Sequence, residues 1–278
     1  MGAREDRAGR TVLVTGANSG IGLATVLELG RIGYDVVGTV RSEAKASAVH
    51  AAATEAGVAV RTALLDVTDA PGGAALVEEL RPWGIVNNAG YSGMGAIEDV
   101  SDEEVRDQLE AMVVAPIRLA RLSLPHMRAQ GGGRIVNVSS IYGLTTTPFS
   151  GWYQATKHAL EAVSDALRLE VARDGIKVVL VEPGGFKTGI WEEFDRDVAK
   201  RGPSAYRTGY ERTRQLMGLA MPFMGEPRAV AKVIASALTS RSPRPRYLVG
   251  VDAQAIARAQ PWMPTVVRDR VTRLLLGL

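Results

Sequence analysis

The sequence contains no cysteine, which excludes both a disulfide framework and a thiolate metal site. Such an absence suits a reducing compartment. Histidine is scarce as well. The three present, His50, His126 and His158, are scattered and make no metal-ligand spacing. Charge of one sign is also lacking: 33 Lys+Arg against 30 Asp+Glu leave a net charge of +3. No Lys/Arg cluster is interleaved with aromatics, so nothing supports nucleic-acid binding. No stretch reaches the ~20 apolar residues needed to span a bilayer. The N-terminal segment MGAREDRAGR is charged and lacks the apolar core of a secretory signal. Gly2 is present, but Asp6 stands where myristoylation requires Ser or Thr. These features lead to the expectation of a cytoplasmic protein.

What is present is an ordinary globular composition over 278 residues, 46% apolar and 23% charged. Short β-branched runs alternate with longer helical patterns. Strands are expected at Thr11–Val14, Val36–Val40, Val58–Leu65, Gly84–Val86, Arg134–Val138, Lys177–Val181 and Tyr247–Val249. Helical spacing marks Ile21–Arg31, Asp102–Gln130, Tyr153–Arg173 and Arg228–Ser240. The alternation predicts α/β architecture: one doubly wound, Rossmann-type parallel sheet with helices on both faces. The strands read as continuous apolar runs, as doubly buried parallel strands do. Gly131–Gly133 reads as a helix-to-strand turn, and no linker or repeat divides the chain, so residues 1–278 are expected to form a single domain. Residues 189–225 break the pattern, mixing Trp191, Phe194, Tyr206, Tyr210, Met221, Phe223 and Met224 with charges. They read as an irregular insertion, either a surface excursion or a substrate lid.

Thr15–Gly22 reads TGANSGIG, between an expected strand and an expected helix. Glycine there lets the backbone turn sharply and approach a pyrophosphate, while the helix N-terminus offers unpaired N–H groups to the anion. A tight βα turn would use the same residues. Asn87–Gly90 reads NNAG after another strand, Ser140 closes NVSS, and Tyr153 and Lys157 form Y-x-x-x-K. In this order and spacing, ending in PGGFKT at Pro183–Thr188, the segments resemble the short-chain dehydrogenase/reductase family, nearest its retinol- and hydroxysteroid-dehydrogenase-like branch.

The resemblance implies roles residue by residue. Gly16, Asn18, Ser19, Gly20, Ile21 and Gly22 would hold the pyrophosphate. Asp66, beside Val67, would bind the adenine amino group. Asn88, Ala89 and Gly90 would line the cofactor, and Pro183, Gly184 and Thr188 would receive its nicotinamide end. Ser140, Tyr153 and Lys157 would be catalytic, with Tyr153 and Lys157 also touching the cofactor. No metal is implied. NAD-binding members carry a carboxylate at the end of the second strand for the ribose 2′-OH. Here Val40 stands in that place and Arg41 follows, which favours the 2′-phosphate of NADP(H), with NAD(H) also possible.

The chemistry of the pair can be stated in numbers. Bringing a tyrosine from its reference pKa near 10 to about 7 takes roughly 4 kcal/mol. One positive charge about 4 Å away, at an effective dielectric near 20, supplies about 4 kcal/mol. Lys157, one helical turn beyond Tyr153, lies on the same face. Ser140 would donate a hydrogen bond to the substrate oxygen. The chain departs from the family at Met112, where members often carry a catalytic asparagine. Pro116, four residues on, has no N–H to bond the Met112 carbonyl and is expected to create a helix irregularity there.

Tyr142, Phe149, Trp152 and the aromatic insertion suit an apolar ketone or secondary alcohol. The amphipathic stretch Val266–Leu276 is expected to pack on the core or on a second subunit, or to lie on a membrane surface. The resemblance implies a homodimer or homotetramer. Two other functions stay open on the same fold: a non-redox isomerase, dehydratase or lyase, and an NADP(H)-binding scaffold.

Overall fold

In the computed structural model, residues 7 and 9–278 are described, except for the side chains of 190–192 and 261. The Gly2 and Asp6 positions and the Trp191 side chain therefore lie outside the description. Seven parallel strands form one sheet in the order β3-β2-β1-β4-β5-β6-β7. The strands are β1 (Thr11–Val14), β2 (Asp35–Val40), β3 (Arg61–Leu64), β4 (Gly84–Asn87), β5 (Gly133–Val138), β6 (Ile176–Pro183) and β7 (Arg246–Val249). Helices α1 (Gly20–Arg31), α2 (Glu43–Glu55), α3 (Ala70–Leu80), α4 (Asp102–Leu109) and α5 (Ala115–Ala129) fall between the first five strands. Helix α6 (Gly151–Glu170) precedes β6, and α7 (Ile190–Lys200), α8 (Arg207–Ala220) and α9 (Pro227–Thr239) precede β7. The chain ends with α10 (Val251–Ala259) and α11 (Thr265–Leu276).

Strand alternation sends side chains to two cores, one on each face. Val12 and Val14 pack with Val26 and Leu29 of α1 and Ile234 and Leu238 of α9. Leu13 between them joins Ile85, Ile135, Leu119 and Met127 on the other face. This double burial is why the central strands read as unbroken apolar runs. Strand β3 differs because it is an edge: Arg61 and Leu64 are exposed. It is also shorter than the sequence suggests.

Helix starts follow side-chain chemistry. Ser42 accepts from the Lys45 N–H at 3.4 Å, and Ser101 with Glu104 forms a reciprocal capping box. Helices α2, α3 and α10 were not legible in the sequence; α2 (EAKASAVHAAATE) is alanine-rich with little apolar periodicity, the signal that marks a docked helix.

Two regions correct the sequence reading. Residues 189–225, expected to be irregular, contain α7, α8 and a short turn at Met221–Phe223. Their aromatics lie at helical spacing: Phe194 and Tyr210 are buried, while Phe223 is 89% exposed. The expected continuous helix over 102–130 is interrupted by a π-helical turn at Glu110–Val114, where the Ala115 N–H bonds the Glu110 carbonyl. Pro116, which lacks an N–H, follows directly, so the expected irregularity is a register change in the helix. Asn87 on β4 donates to the Pro116 carbonyl (3.2 Å) and to Asn137 (2.8 Å), fixing the turn against the sheet.

Candidate active site

The strand order reverses between β1 and β4, so their carboxyl ends open a crevice, the place where open α/β sheets bind ligands. The glycine-rich loop leaves β1 there. Gly16 (φ +69°) and Gly20 (φ +54°) take left-handed conformations that other residues rarely adopt. A Cβ on Gly22 would collide with the Gly16 carbonyl and lie 2.6 Å from the Asn88 amide nitrogen. Asn88 explains the closeness: its Nδ2 donates to the carbonyls of Thr15 (3.0 Å) and Gly16 (3.2 Å). Thr15 Oγ1 in turn accepts from the N–H groups of Asn88 and Ala89, both at 3.0 Å. The NNAG segment is thus the brace that shapes the loop.

The N-terminus of α1 is open. Ser19 sits at the cap with extended backbone, makes no side-chain cap, and no acidic residue lies in the first turn. Helix N–H groups and the positive end of the helix dipole therefore face the crevice uncompensated. Asn18 and Ser19 flank it, Ile21 packs back on the core, and Thr188 stands against Gly20, where an added Cβ would meet its Cγ2 at 3.2 Å. This cradle fits a dinucleotide pyrophosphate. At its far end Arg41 is exposed, and its charge helps hold the exposed Asp66 carboxyl below the usual range, after the stronger hydrogen bonding from Thr68. Asp66 Oδ1 accepts from Thr68 N–H (3.0 Å) and Oγ1 (2.8 Å), with Val67 half-buried between. Val40 is 2% exposed, so an acid placed there would be desolvated. Cofactor preference is better tested at Arg41.

The residues expected to be catalytic come from the end of β5 and from α6. Ser140 follows β5, and its Oγ accepts from the Tyr142 N–H at 3.2 Å. Tyr153 and Lys157, a turn apart on α6, are 8% and 6% exposed. The Lys157 ammonium donates to the Val138 carbonyl at 3.0 Å and stands 5.6 Å from the centre of the Tyr153 ring. Met112 fills the space beneath, in one buried cluster with Tyr153 and within reach of Gly90. Tyr142 closes the cluster edge-on to Tyr153, with ring centres 6.3 Å apart.

Burial acts on both members of the pair. It pushes the Tyr153 hydroxyl up to about 12, against a hydrogen bond with Ser140 that favours ionisation. Burial also brings the Lys157 ammonium down to about 8, opposed by the negative charge of Glu161. Burial thus opposes ionisation of both members of the pair, the tyrosine as phenolate and the lysine as ammonium.

Other expected residues are placed as follows. Pro183 ends β6, and Gly184, directly after it, donates to the Val249 carbonyl at 2.9 Å. Asp252 of α10 lies against Gly184 and accepts from the Gly185 N–H at 2.6 Å. Phe149, expected at the carbonyl site, belongs to a separate cluster with Ala96, Tyr210 and Leu276. Trp152 is half-buried beside Tyr153. His158 bonds the Gln154 carbonyl and His126 faces Glu78, and no group of three metal-ligating side chains occurs among the described residues. Helix α11 packs against α8 and buries Leu276, while Val266, Val271 and Leu274 are exposed on the single chain. No helix among the described residues is long and apolar enough to cross a membrane.

Sequence reasoning missed the residues that fasten 189–225 to the segment following NNAG. Ser92 N–H and Oγ donate to Glu193 (3.1 Å) and Asp197 (3.0 Å) of α7. The nearly buried Arg201 donates to the Met94 carbonyl (2.8 Å) and to Glu104 (2.8 Å). The i, i+4 acids of α7 were the available signal, but a charged helix face is usually a solvated one.

The short-chain dehydrogenase family model matches residues 10–199. The chain belongs to that family of NAD(P)-dependent oxidoreductases. It is 35% identical over 250 residues to the uncharacterized oxidoreductase YusZ of Bacillus subtilis, covering 87% of this chain and 89% of that one. It is 32% identical to an NADPH-dependent 3-dehydrocapnine reductase of Ornithobacterium rhinotracheale, with 94% and 95% covered. Among solved structures, a variant of the actinorhodin polyketide ketoreductase with NADPH superposes with a TM-score of 0.75 at 29% identity, covering 88% of this chain and 96% of that one.

Proposed function

We propose that the protein is an NADP(H)-dependent oxidoreductase that interconverts a hydrophobic ketone or aldehyde and its alcohol. The observation that carries the reading is the convergence of Ser140, Tyr153 and Lys157 on the crevice that the Gly16–Gly22 loop opens. When bound, the dinucleotide supplies or accepts the hydride. The remaining work falls to the chain. Ser140 orients the substrate oxygen and offsets its developing charge. Tyr153, held neutral by burial, delivers the proton to that oxygen in reduction. Lys157 stabilises the tyrosinate left behind. The buried walls from Tyr142, Met112 and Tyr153 exclude water and favour an apolar substrate, in keeping with the retinol- and hydroxysteroid-like branch.

In this reading residues 1–278 act as one domain, and α7 and α8 are the lid, fastened through Ser92 and Arg201. The protein works in the cytoplasm as a homodimer or homotetramer. NADP(H) is the preferred cofactor because Arg41 stands beside the adenine end without a competing carboxylate at Val40. Arg41→Ala is expected to weaken NADPH binding about 10- to 100-fold, the value of a charge-assisted hydrogen bond to phosphate. NADH binding should change little. Fluorescence titration with both cofactors measures the two changes.

Activity is tested by following NADPH absorbance at 340 nm with aromatic, steroid and long-chain ketones. Turnover of at least one class supports the reading; product without cofactor oxidation favours non-redox chemistry instead. Reduction is expected to hold its rate below about pH 8 and to decline above it, as Lys157 loses its proton. A pH profile that rises through this range contradicts the assigned acid.

A further inference from the structure

Behind Lys157, three carboxylates and two guanidinium groups meet, Glu161 and Glu182 buried and Asp165, Arg168 and Arg246 partly exposed. Glu161 lies one turn beyond Lys157 on α6 and is 6% exposed; Glu182 on β6 is 0% exposed. Arg246 of β7 reaches both: its Nη2 is 3.1 Å from Glu161 Oε2, and its Nε is 3.1 Å from Glu182 Oε1. The same Nη2 donates to Asp165 at 2.6 Å, and Arg168 donates to Asp165 at 3.2 Å. Charge is therefore short by one cation, and Lys157 is the next ammonium on this face of α6.

The hydrogen bonding is short as well. Glu161 Oε1 and Glu182 Oε2 are buried without a hydrogen-bond partner, and Glu182 Oε1 has only the ion pair with Arg246. Orphaned oxygens of this kind are costly. The two carboxyls lie within hydrogen-bonding reach of each other, which two carboxylates cannot use and a carboxyl with a carboxylate can. A single proton shared between them supplies the missing hydrogen bond and leaves the pair one negative charge, one helical turn from Lys157. Burial and the neighbouring Glu161 charge push the Glu182 carboxyl up, and Glu182 is the more deeply buried of the two, so the proton is placed there. The pair also touches the serine loop. A Cβ on Gly143, three residues after Ser140, would lie 2.8 Å from Ser139 Oγ and 2.9 Å from Glu161 Cγ.

We propose that Glu161 and Glu182 are positioning residues, a one-proton carboxyl pair whose single negative charge keeps Lys157 protonated in its buried site. The proposal deepens the oxidoreductase reading, since a charged Lys157 is what that chemistry requires. It places beneath α6 an electrostatic support that is independent of the asparagine position occupied here by Met112. The groups facing the pair are Lys157, Asp165 and Arg168 on α6 and Arg246 on β7, with the Ser139 hydroxyl nearby.

The test reads Lys157 directly and needs no turnover. The sequence has six lysines, so ¹⁵N-labelled side-chain ammonium signals can be followed against pH, with Lys157→Met assigning the one that disappears. In wild type, Lys157 should titrate well below the other five. Glu161→Gln should move its titration down by about one further pH unit, the low end for loss of a nearby opposite charge. Glu182→Gln removes no charge at neutral pH and should cause no comparable fall. An unmoved Lys157 in folded Glu161→Gln, or an equal fall in both variants, overturns the proposal.

Should Glu161→Gln fail to fold, chemical denaturation of wild type and Glu182→Gln from pH 5 to 8 decides. Glu182 is raised in the folded state, so the native protein keeps a proton that the unfolded chain loses above about 4.5. Wild-type stability must then fall with rising pH across that window, and Glu182→Gln must flatten the fall. Parallel curves overturn the shared proton. Loss of ketone reduction with the lysine titration as described would count against the functional reading alone.

Discussion

Tyr153→Phe is expected to lower carbonyl reduction by about 10²–10⁴-fold, the usual contribution of a general acid. The substitution removes one hydroxyl and keeps the ring. That ring carries the packing: it lies edge-on to Tyr142 and in one buried cluster with Met112 and Ala111. The fold should therefore survive, and NADPH affinity should change little. The hydroxyl is buried, so its loss also removes a desolvated polar group, and thermal stability should stay equal or rise slightly. Steady-state rates, a cofactor titration and a thermal melt separate these outcomes. A full rate in Tyr153→Phe contradicts the assigned chemistry; a collapsed melt would show a structural role instead.

Gly22→Val should abolish cofactor binding, with affinity for both NADPH and NADH falling at least about 100-fold. The reason is space. The first side-chain carbon alone would meet the Gly16 carbonyl, and 2.6 Å away it would press on the amide of Asn88. Neither can yield cheaply, because Asn88 holds both the Thr15 and the Gly16 carbonyls. The loop must open, and overpacking of this kind costs roughly 1–3 kcal/mol even in adaptable cores. At about 1.4 kcal/mol per tenfold, the upper end corresponds to the stated loss. The effect falls on both cofactors because the pyrophosphate is common to them, unlike that of Arg41→Ala, which falls on the 2′-phosphate. Equal affinity in Gly22→Val and wild type would remove the loop from the cofactor site.

The contrast between what was legible in the sequence and what was not follows from range. Strand β1 and the parallel order could be read because double burial leaves unbroken apolar runs, as at Val12–Val14. The loop at Gly16–Gly22 and the Tyr153/Lys157 pair were legible because their geometry is local, within a turn or one helical repeat. The irregularity at Met112 was legible for the same reason: Pro116 withholds an N–H four residues on, and the chain answers with a π turn at Glu110–Val114.

Interactions across the chain left no such mark. Arg201 reaches Met94 and Glu104, about a hundred residues away, and Asp252 caps Gly185 from α10. The burial of Tyr153 and Lys157 was not legible either, because sequence spacing places the two on one helix face but says nothing of how deeply they lie. Phe149, expected near the carbonyl site, packs instead against Tyr210, 61 residues on, with ring centres 4.8 Å apart. Glu161 and Glu182 lie on different elements and become neighbours only when α6 packs on β6.

The central claim is that this crevice passes a hydride between a nicotinamide and a substrate carbon while Tyr153 handles the proton. The most direct measurement uses NADPH carrying deuterium at C4, prepared separately in each stereochemical form, with a ketone that the enzyme turns over. The account predicts that one of the two labelled forms places a single deuterium on the carbinol carbon, that the other places none, and that Tyr153→Phe slows the transfer without redirecting it. Product formed without label from either form, or formed with the cofactor unoxidised, would contradict it.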